Sequence, residues 1–371
     1  MSDLIEQAKT FFLQGLAHYQ AGRFTQADTD FSASLSLVPG RASTLTNLGV
    51  VRLKLGKFEQ AVDLLQEALA QEPDNTEALG HCATALAELG QHGRALSCVE
   101  RLLALGPGLG QAWSLRGNLL KDMGRIDEAA AAFEQAIAHG ADNELNRYNL
   151  AALTGRQVPS TAPRPYVETL FDGYAGGFEE HLVQVLKYRV PAQLVEGSQR
   201  FRSRFDSALD LGCGTGLCGP LLRPLTQQLV GVDLSGNMVE RARQQGVYDQ
   251  VVQADLVDFL AACQRSYGLV IAADVFVYLG ALEPVFSGVA RVIDPGGLFT
   301  FSVESAEAGQ GDFALRPSLR YAHSAQYIER LSGQFGFRIL ATREHAIRED
   351  QGRPIDGLLC WLVKQDGPPG A

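Results

Sequence analysis

No stretch of this sequence stays apolar long enough to cross a bilayer. The most apolar window, GLVIAADVFVYLGALEPVF, carries Asp274 and Glu283 and is broken by Gly and Pro, so no membrane span is expected. A basic excess is missing too. Lys and Arg number 32 against 42 Asp and Glu, a net charge of −10. That balance argues against duplex nucleic acid as a partner, because phosphate binding needs a basic face. The six cysteines (82, 98, 213, 218, 263 and 360) follow no disulfide or zinc spacing, and free thiols of a cytoplasmic protein are expected. No cluster of His, Cys and carboxylate has ligand spacing, so no metal site is expected. The opening MSDLIEQAKTFFLQG has no basic segment followed by an apolar block, and reads as mature protein rather than a signal peptide.

What is present begins with a repeat. Gly15, Gly49, Ala83 and Gly117 stand 34 residues apart. The same step links Gly22, Gly56, Gly90 and Gly124, then Ala27, Ala61, Ala95 and Ala129, and then Phe31, Leu65, Val99 and Phe133. Pro39, Pro73 and Pro107 keep it as well. Each column has a physical use. The first lets two helices approach closely, and the glycine at 22, 56, 90 and 124 ends a helix in a left-handed conformation. The alanine packs the second helix on the first, and the proline stops it.

The pattern resembles the tetratricopeptide repeat, with units 8–41, 42–75, 76–109 and 110–143 and a capping helix at 144–153, so that 1–155 forms a helical solenoid. The resemblance implies a concave groove for a protein or peptide partner, with Asn47, Thr84, Asn118 and Asn149 pointing into it as donors and acceptors. His81 and Leu115 leave incomplete the basic clamp that grips C-terminal carboxylates in some members.

After Gly155 the text changes. RQVPSTAPRPY reads as an exposed linker. From about 205, short apolar runs alternate with amphipathic helical stretches: 207–211, 228–233, 250–255, 268–274 and 297–303. Two more runs, 337–347 and 357–363, follow as a closing hairpin. The alternation predicts a doubly wound α/β sheet of seven strands, which binds ligands at the carboxyl ends of its strands. Four of those strands end in or run into an acid: Asp210, Asp233, Asp255 and Asp274. The turn DLGCGTG (210–216) places its third glycine at 216, where a dinucleotide turn would place it at Leu217. A row of acids also disfavours a pyrophosphate. A nicotinamide oxidoreductase is therefore the weaker reading. S-adenosylmethionine, with a sulfonium, an ammonium and a ribose diol but no phosphate, suits the row better.

At these residues the chain resembles the class I S-adenosylmethionine-dependent methyltransferases, with a Rossmann-like domain over 205–371 and a linker and cofactor-lid helix over 156–204. The resemblance implies that Gly212, Gly214 and Gly216 pass under the methionine part, with Asp210 near its ammonium. Within VGVDLSGNMVERAR (230–243) it implies Asp233 on the ribose hydroxyls, with Leu234 and Met238 beside the nucleoside. It implies Asp255 and Leu256 at the adenine edge, Ala273 and Asp274 near the methionine, and Tyr278 facing the acceptor. From the segment 170–191, Phe171, Tyr174, Tyr188 and Arg189 are expected to close the site, aromatic faces being suited to a sulfonium.

The insertion 305–327 is expected to overhang the acceptor side, with Arg320 and Tyr321 as substrate contacts. Where an acceptor needs a base, His323 and His181 are the candidates. The sequence Asp-Val-Phe-Val-Tyr at 274–278 replaces the Pro-Pro-Tyr type of signature found in DNA and protein-amide methyltransferases. The functional expectation is methyl transfer to a protein, peptide or carrier-bound acceptor presented by the repeats. The alternatives are a small-molecule methyltransferase whose repeats serve assembly, and a cofactor-binding scaffold without turnover.

Overall fold

The computed structural model describes residues 2–174, 188–307, 309–350 and 353–366. The chain divides into two compact units, Met1–Thr154 and Gly155–Ala371.

The first unit is helical. Among the described residues its helices are α1 (Ser2–Gln20), α2 (Phe24–Leu37), α3 (Ala42–Lys54), α4 (Phe58–Gln71), α5 (Thr76–Glu88), α6 (His92–Leu105), α7 (Gly110–Asp122), α8 (Ile126–Ala138) and α9 (Glu144–Thr154). The repeat columns do what their residue types suggest. Gly22, Gly56, Gly90 and Gly124 lie between the helices of each pair with φ from 68° to 73°, a conformation that costs a β-carbon-free residue nothing. A β-carbon on Gly117 would stand 2.9 Å from the ring of Phe133, and one on Gly49 would stand 2.7 Å from Leu65. The small column is thus what seats the Phe31, Leu65 and Phe133 column, all of it buried.

The second unit is a three-layer α/β structure. Its strands are β1 (Phe205–Leu211), β2 (Thr226–Asp233), β3 (Gln250–Gln253), β4 (Tyr267–Ala272), β5 (Ile293–Ser305), β6 (Phe313–Leu315), β7 (Tyr321–His323), β8 (Phe337–Asp350) and β9 (Arg353–Lys364). The order β3-β2-β1-β4-β5 is parallel, and β9 then pairs antiparallel with both β5 and β8. Apolar residues alternate between the faces. Leu209, Val230, Val270 and Phe299 join one core, while Ala208, Leu229, Leu269 and Leu298 join the other. The first core is closed by α14 (Leu256–Ala262), α15 (Glu283–Val292) and α16 (Ala325–Gln334). The second is closed by α11 (Val190–Gln199) and the single turn α12 (Gly219–Leu222). Burial of both faces is why these strands read as nearly continuous apolar runs.

Among the described residues the sheet has nine strands rather than the seven expected. The extra pair comes from the 305–327 insertion, where β7 runs parallel to the end of β5 and carries β6 on its other side. The segment is therefore part of the sheet and not only an overhanging loop. Each of its strands is three residues long, too short for an alternating pattern to show.

Candidate cofactor and acceptor site

The carboxyl ends of β1, β2 and β4 converge on the glycine turn. The turn leaves β1 through Gly212, Gly214 and Gly216 with φ of 66°, 55° and 101°. At 212 a β-carbon would overlap the side chain of Val275, so no larger residue fits. Asp233, at the end of β2, fastens the turn: its Oδ2 accepts from the Gly214 amide at 2.8 Å, and its Oδ1 accepts from Ser235 at 2.9 Å. Burial still outweighs these bonds and holds its pKa above the usual carboxylate range. Each of its oxygens has a lone pair left for a diol.

Asp210 is fully buried, and its Oδ1 has no hydrogen-bond partner. Its Oδ2 accepts from the Tyr248 hydroxyl at 2.7 Å. Burial lifts its pKa to about 7, with Asp233 adding to the rise and the Tyr248 bond opposing it. Tyr248 reaches Asp210 across a slot of glycines. β-Carbons on Gly216, Gly219 or Gly231 would come within 3.1 Å of its ring. Tyr248 is a site residue that the sequence reading missed, since only the fold brings residue 248 under residue 210.

A buried anion with an unanswered oxygen beside a turn of positive-φ glycines suits a cationic amino-acid group, and the diol-ready Asp233 suits a ribose. The residues present fit S-adenosylmethionine.

Helix α10 (Arg164–Tyr174) is tied to the loops that follow three strands. Asp172 accepts from the Ser235 hydroxyl, and its carbonyl accepts from the Asn237 amide side chain at 3.1 Å. Arg164 pairs with Asp258 at 2.8 Å and with Asp255 at 3.3 Å. Phe171 meets Tyr278 edge to face at 5.4 Å. Asp255 also caps α14, its Oδ1 accepting from Val257 and Asp258, with half-buried Leu256 next to it. Its carboxylate is thus largely engaged within the protein. Leu234 is half-buried and Met238 fully buried at the start of α13 (Gly236–Gln244).

The side of the candidate site formed by the ends of β4, β5 and β8 is built on charge. Asp274, next to half-buried Ala273, adopts a left-handed φ of 56°, unusual for a non-glycine residue. Its amide donates to the Ser302 hydroxyl, and its carboxylate takes both 2.9 and 3.0 Å bonds from Arg348 Nη1. Arg348 also binds Glu304, which pairs in turn with Arg316 at 2.9 Å. Burial lowers the Arg348 pKa, but Asp274 and Glu304 outweigh it and hold the guanidinium charged. Arg348, Glu304 and Arg316 carry no sequence motif, and β5, β8 and the 305–327 insertion bring them together. Buried Tyr188 stands among Asp210, Asp274 and Arg348, and burial raises its hydroxyl pKa well above the ordinary value. Tyr278 is buried, with the Arg320 guanidinium 6.0 Å from its ring centre.

Several expectations need correction. His323 is 1% exposed on β7, and its Nε2 donates to the carbonyls of Leu279 at 2.8 Å and Gly280 at 3.1 Å. Burial lowers its pKa to about 4. It braces the turn after β4 and is poorly placed to act as a base. Tyr321 is fully buried with its hydroxyl donating to Pro159, so its place is the core and not a substrate surface. Arg189 is exposed. His181 and the side chain of Tyr174 lie outside the described residues. In the repeats, Asn149 is buried, donating to Leu145 and accepting from Lys121 Nζ at 2.9 Å, and does not offer its amide to a groove. Asn47 and Thr84 are half-buried and donate to the carbonyls of Ser43 and Gly80 in their own helices, while Asn118 is half-buried.

Comparison with known proteins agrees with this geometry. Residues 209–301 match the methyltransferase-domain family, and residues 6–73, 52–119 and 110–138 match tetratricopeptide-repeat families. The chain therefore carries a methyltransferase domain preceded by tetratricopeptide repeats.

Among curated proteins it is similar to the malonyl-[acyl-carrier protein] O-methyltransferase of Enterobacter lignolyticus (strain SCF1), 29% identical over 105 residues, which is 28% of this chain and 41% of that protein. It is also similar to the putative methyltransferase YqeM of Bacillus subtilis (strain 168), 29% identical over 143 residues, 37% of this chain and 56% of that one. The matches thus span about half the length of these relatives. Among solved structures, the magnesium protoporphyrin IX methyltransferase of Synechocystis PCC 6803 with bound SAH matches with TM-score 0.44 and 20% identity, over 55% of this chain and all of that one. MamA from Desulfovibrio magneticus RS-1 matches with TM-score 0.39 and 18% identity, over 41% of this chain and 85% of that one.

Proposed function

We propose that this protein transfers the methyl group of S-adenosylmethionine to an acceptor carried on a protein, peptide or acyl carrier, and that its repeat unit binds that partner. The observation that carries the reading is the pairing of Asp210, with its unpartnered buried oxygen, and Asp233 across the positive-φ glycine turn. Asp210 receives the ammonium of the methionine part, and Asp233 receives the ribose hydroxyls. When bound there, the cofactor supplies a methyl group activated by its sulfonium. Tyr188, Phe171 and Tyr278 exclude water around it, and Asp274, locked by Arg348, fixes the wall on the acceptor side. Methyl transfer is an in-line displacement, so alignment and dryness supply much of its rate. The acyl-carrier acceptor named for the Enterobacter relative supports a carried acceptor here.

The test is transfer of labelled methyl groups by the full chain, compared with a variant carrying Asn47→Arg and Asn118→Arg on the first helices of the repeats. Label in macromolecules that falls at least about tenfold in the variant, with binding of S-adenosylhomocysteine kept, is the expected result. Label in free small molecules, equal in both proteins, would give the repeats an assembly role instead.

A further inference from the structure

We infer that the acceptor group is a carboxylate, gripped by Arg320, and that the product is a methyl ester. This inference rests on the methyltransferase reading and names the chemistry of its second substrate.

Four charged groups of the acceptor side cancel among themselves. Arg348 holds Asp274 and Glu304, and Arg316 holds Glu304 and the Ser305 carbonyl. Among the described residues, Arg320 is a cation of this side without an ion-pair partner. It is half-buried, its guanidinium sits over the Tyr278 ring, and it lies near enough to Tyr166 to oppose the rise that burial gives that hydroxyl. Among the described residues no carboxylate stands within ion-pair distance of it. A half-buried guanidinium over the Tyr278 ring presents a planar donor fork that matches a carboxylate in geometry as well as charge.

The chemistry agrees. A carboxylic acid is already ionised at neutral pH, so it attacks without a base. The charged oxygens of Asp274 and Glu304 are committed to arginines, and His323 is occupied by two backbone carbonyls. With one carboxylate oxygen held by Arg320, the other forms the new bond to the methyl carbon. The carbon–sulfur bond breaks with its electron pair left on sulfur, and no proton moves. An anion and a sulfonium become a neutral ester and a neutral thioether, a change that a dry site favours.

The experiment uses the full chain with methyl-labelled S-adenosylmethionine and a lysate of the cells it comes from, followed by mild alkali. Methyl esters release their label as volatile methanol, whereas N-methyl groups and ethers do not. The same assay is run with Arg320→Gln and Arg320→Lys, and S-adenosylhomocysteine binding is measured calorimetrically for all three proteins. The expected result is alkali-labile label, with the KM for the acceptor raised about tenfold or more in Arg320→Gln. The variant's kcat is little changed, Arg320→Lys recovers part of the loss, and all three proteins bind S-adenosylhomocysteine equally. Alkali-stable label, no label, or an Arg320→Gln variant with the wild-type KM overturns the inference. Failure of the wild-type chain to bind S-adenosylhomocysteine overturns the methyltransferase reading itself.

Discussion

On the proposed reading, Asp210 is a carboxylate whose protonation cofactor binding changes. Its folded pKa of about 7 lies above the ordinary 3.8 because it is buried with one oxygen unanswered. In the unliganded protein the folded state therefore holds a proton that the unfolded chain releases. The stability this contributes is fully present below the unfolded value and is lost as pH rises through about 7. A bound ammonium needs the ionised form, so cofactor affinity should run the other way and increase between pH 6 and 8. Titration calorimetry with S-adenosylhomocysteine across that range checks both the sign and the midpoint. Tyr248→Phe removes the stronger of the two side-chain hydrogen bonds that favour the anion, the other being to Cys218. It should move the midpoint to higher pH and weaken binding at neutral pH by roughly tenfold, the worth of one hydrogen bond to a charged group. A midpoint unmoved in that variant would mean that Tyr248 only fills space.

At the scale of elements, the glycine turn and α10 bear the site. Gly212→Ala asks for a left-handed backbone and for room that Val275 occupies. The cost should be about 2 kcal/mol or more, from strain together with overpacking, with cofactor binding lost. Thermal melting with and without S-adenosylhomocysteine reads both effects, and a variant as stable and as responsive as wild type would contradict the geometry.

This turn was legible in the sequence because every residue in it is local and each glycine has a steric reason. So were the repeats, whose columns recur often enough to be seen without a partner sequence. Tyr248, Asp172, Arg348, Glu304 and Arg316 were not legible. Each meets its partner only because the sheet order sets distant strands and loops side by side, and none has a spacing that announces it. His323 and Tyr321 misled for a related reason. Three-residue strands carry no periodicity, so a buried hairpin read as a loop with substrate-facing side chains.

At the scale of the whole molecule, one chain joins a repeat solenoid to a methyltransferase domain, and no described helix is long and apolar enough to cross a membrane. On the proposed reading cofactor chemistry belongs to the second unit and delivery of the acceptor to the first, which makes the two separable by substitution. All of it depends on the carboxyl ends of β1 and β2 holding S-adenosylmethionine. The most direct measurement is calorimetric titration of the full chain with S-adenosylhomocysteine, beside Asp233→Ala. Wild type should bind with a micromolar constant. The variant should keep its unliganded fold by circular dichroism and bind about a hundredfold more weakly, having lost two charge-assisted bonds to the ribose together with the Gly214 and Ser235 bonds that fasten the turn. A wild-type chain that does not bind, or a variant that binds equally well, would contradict the account.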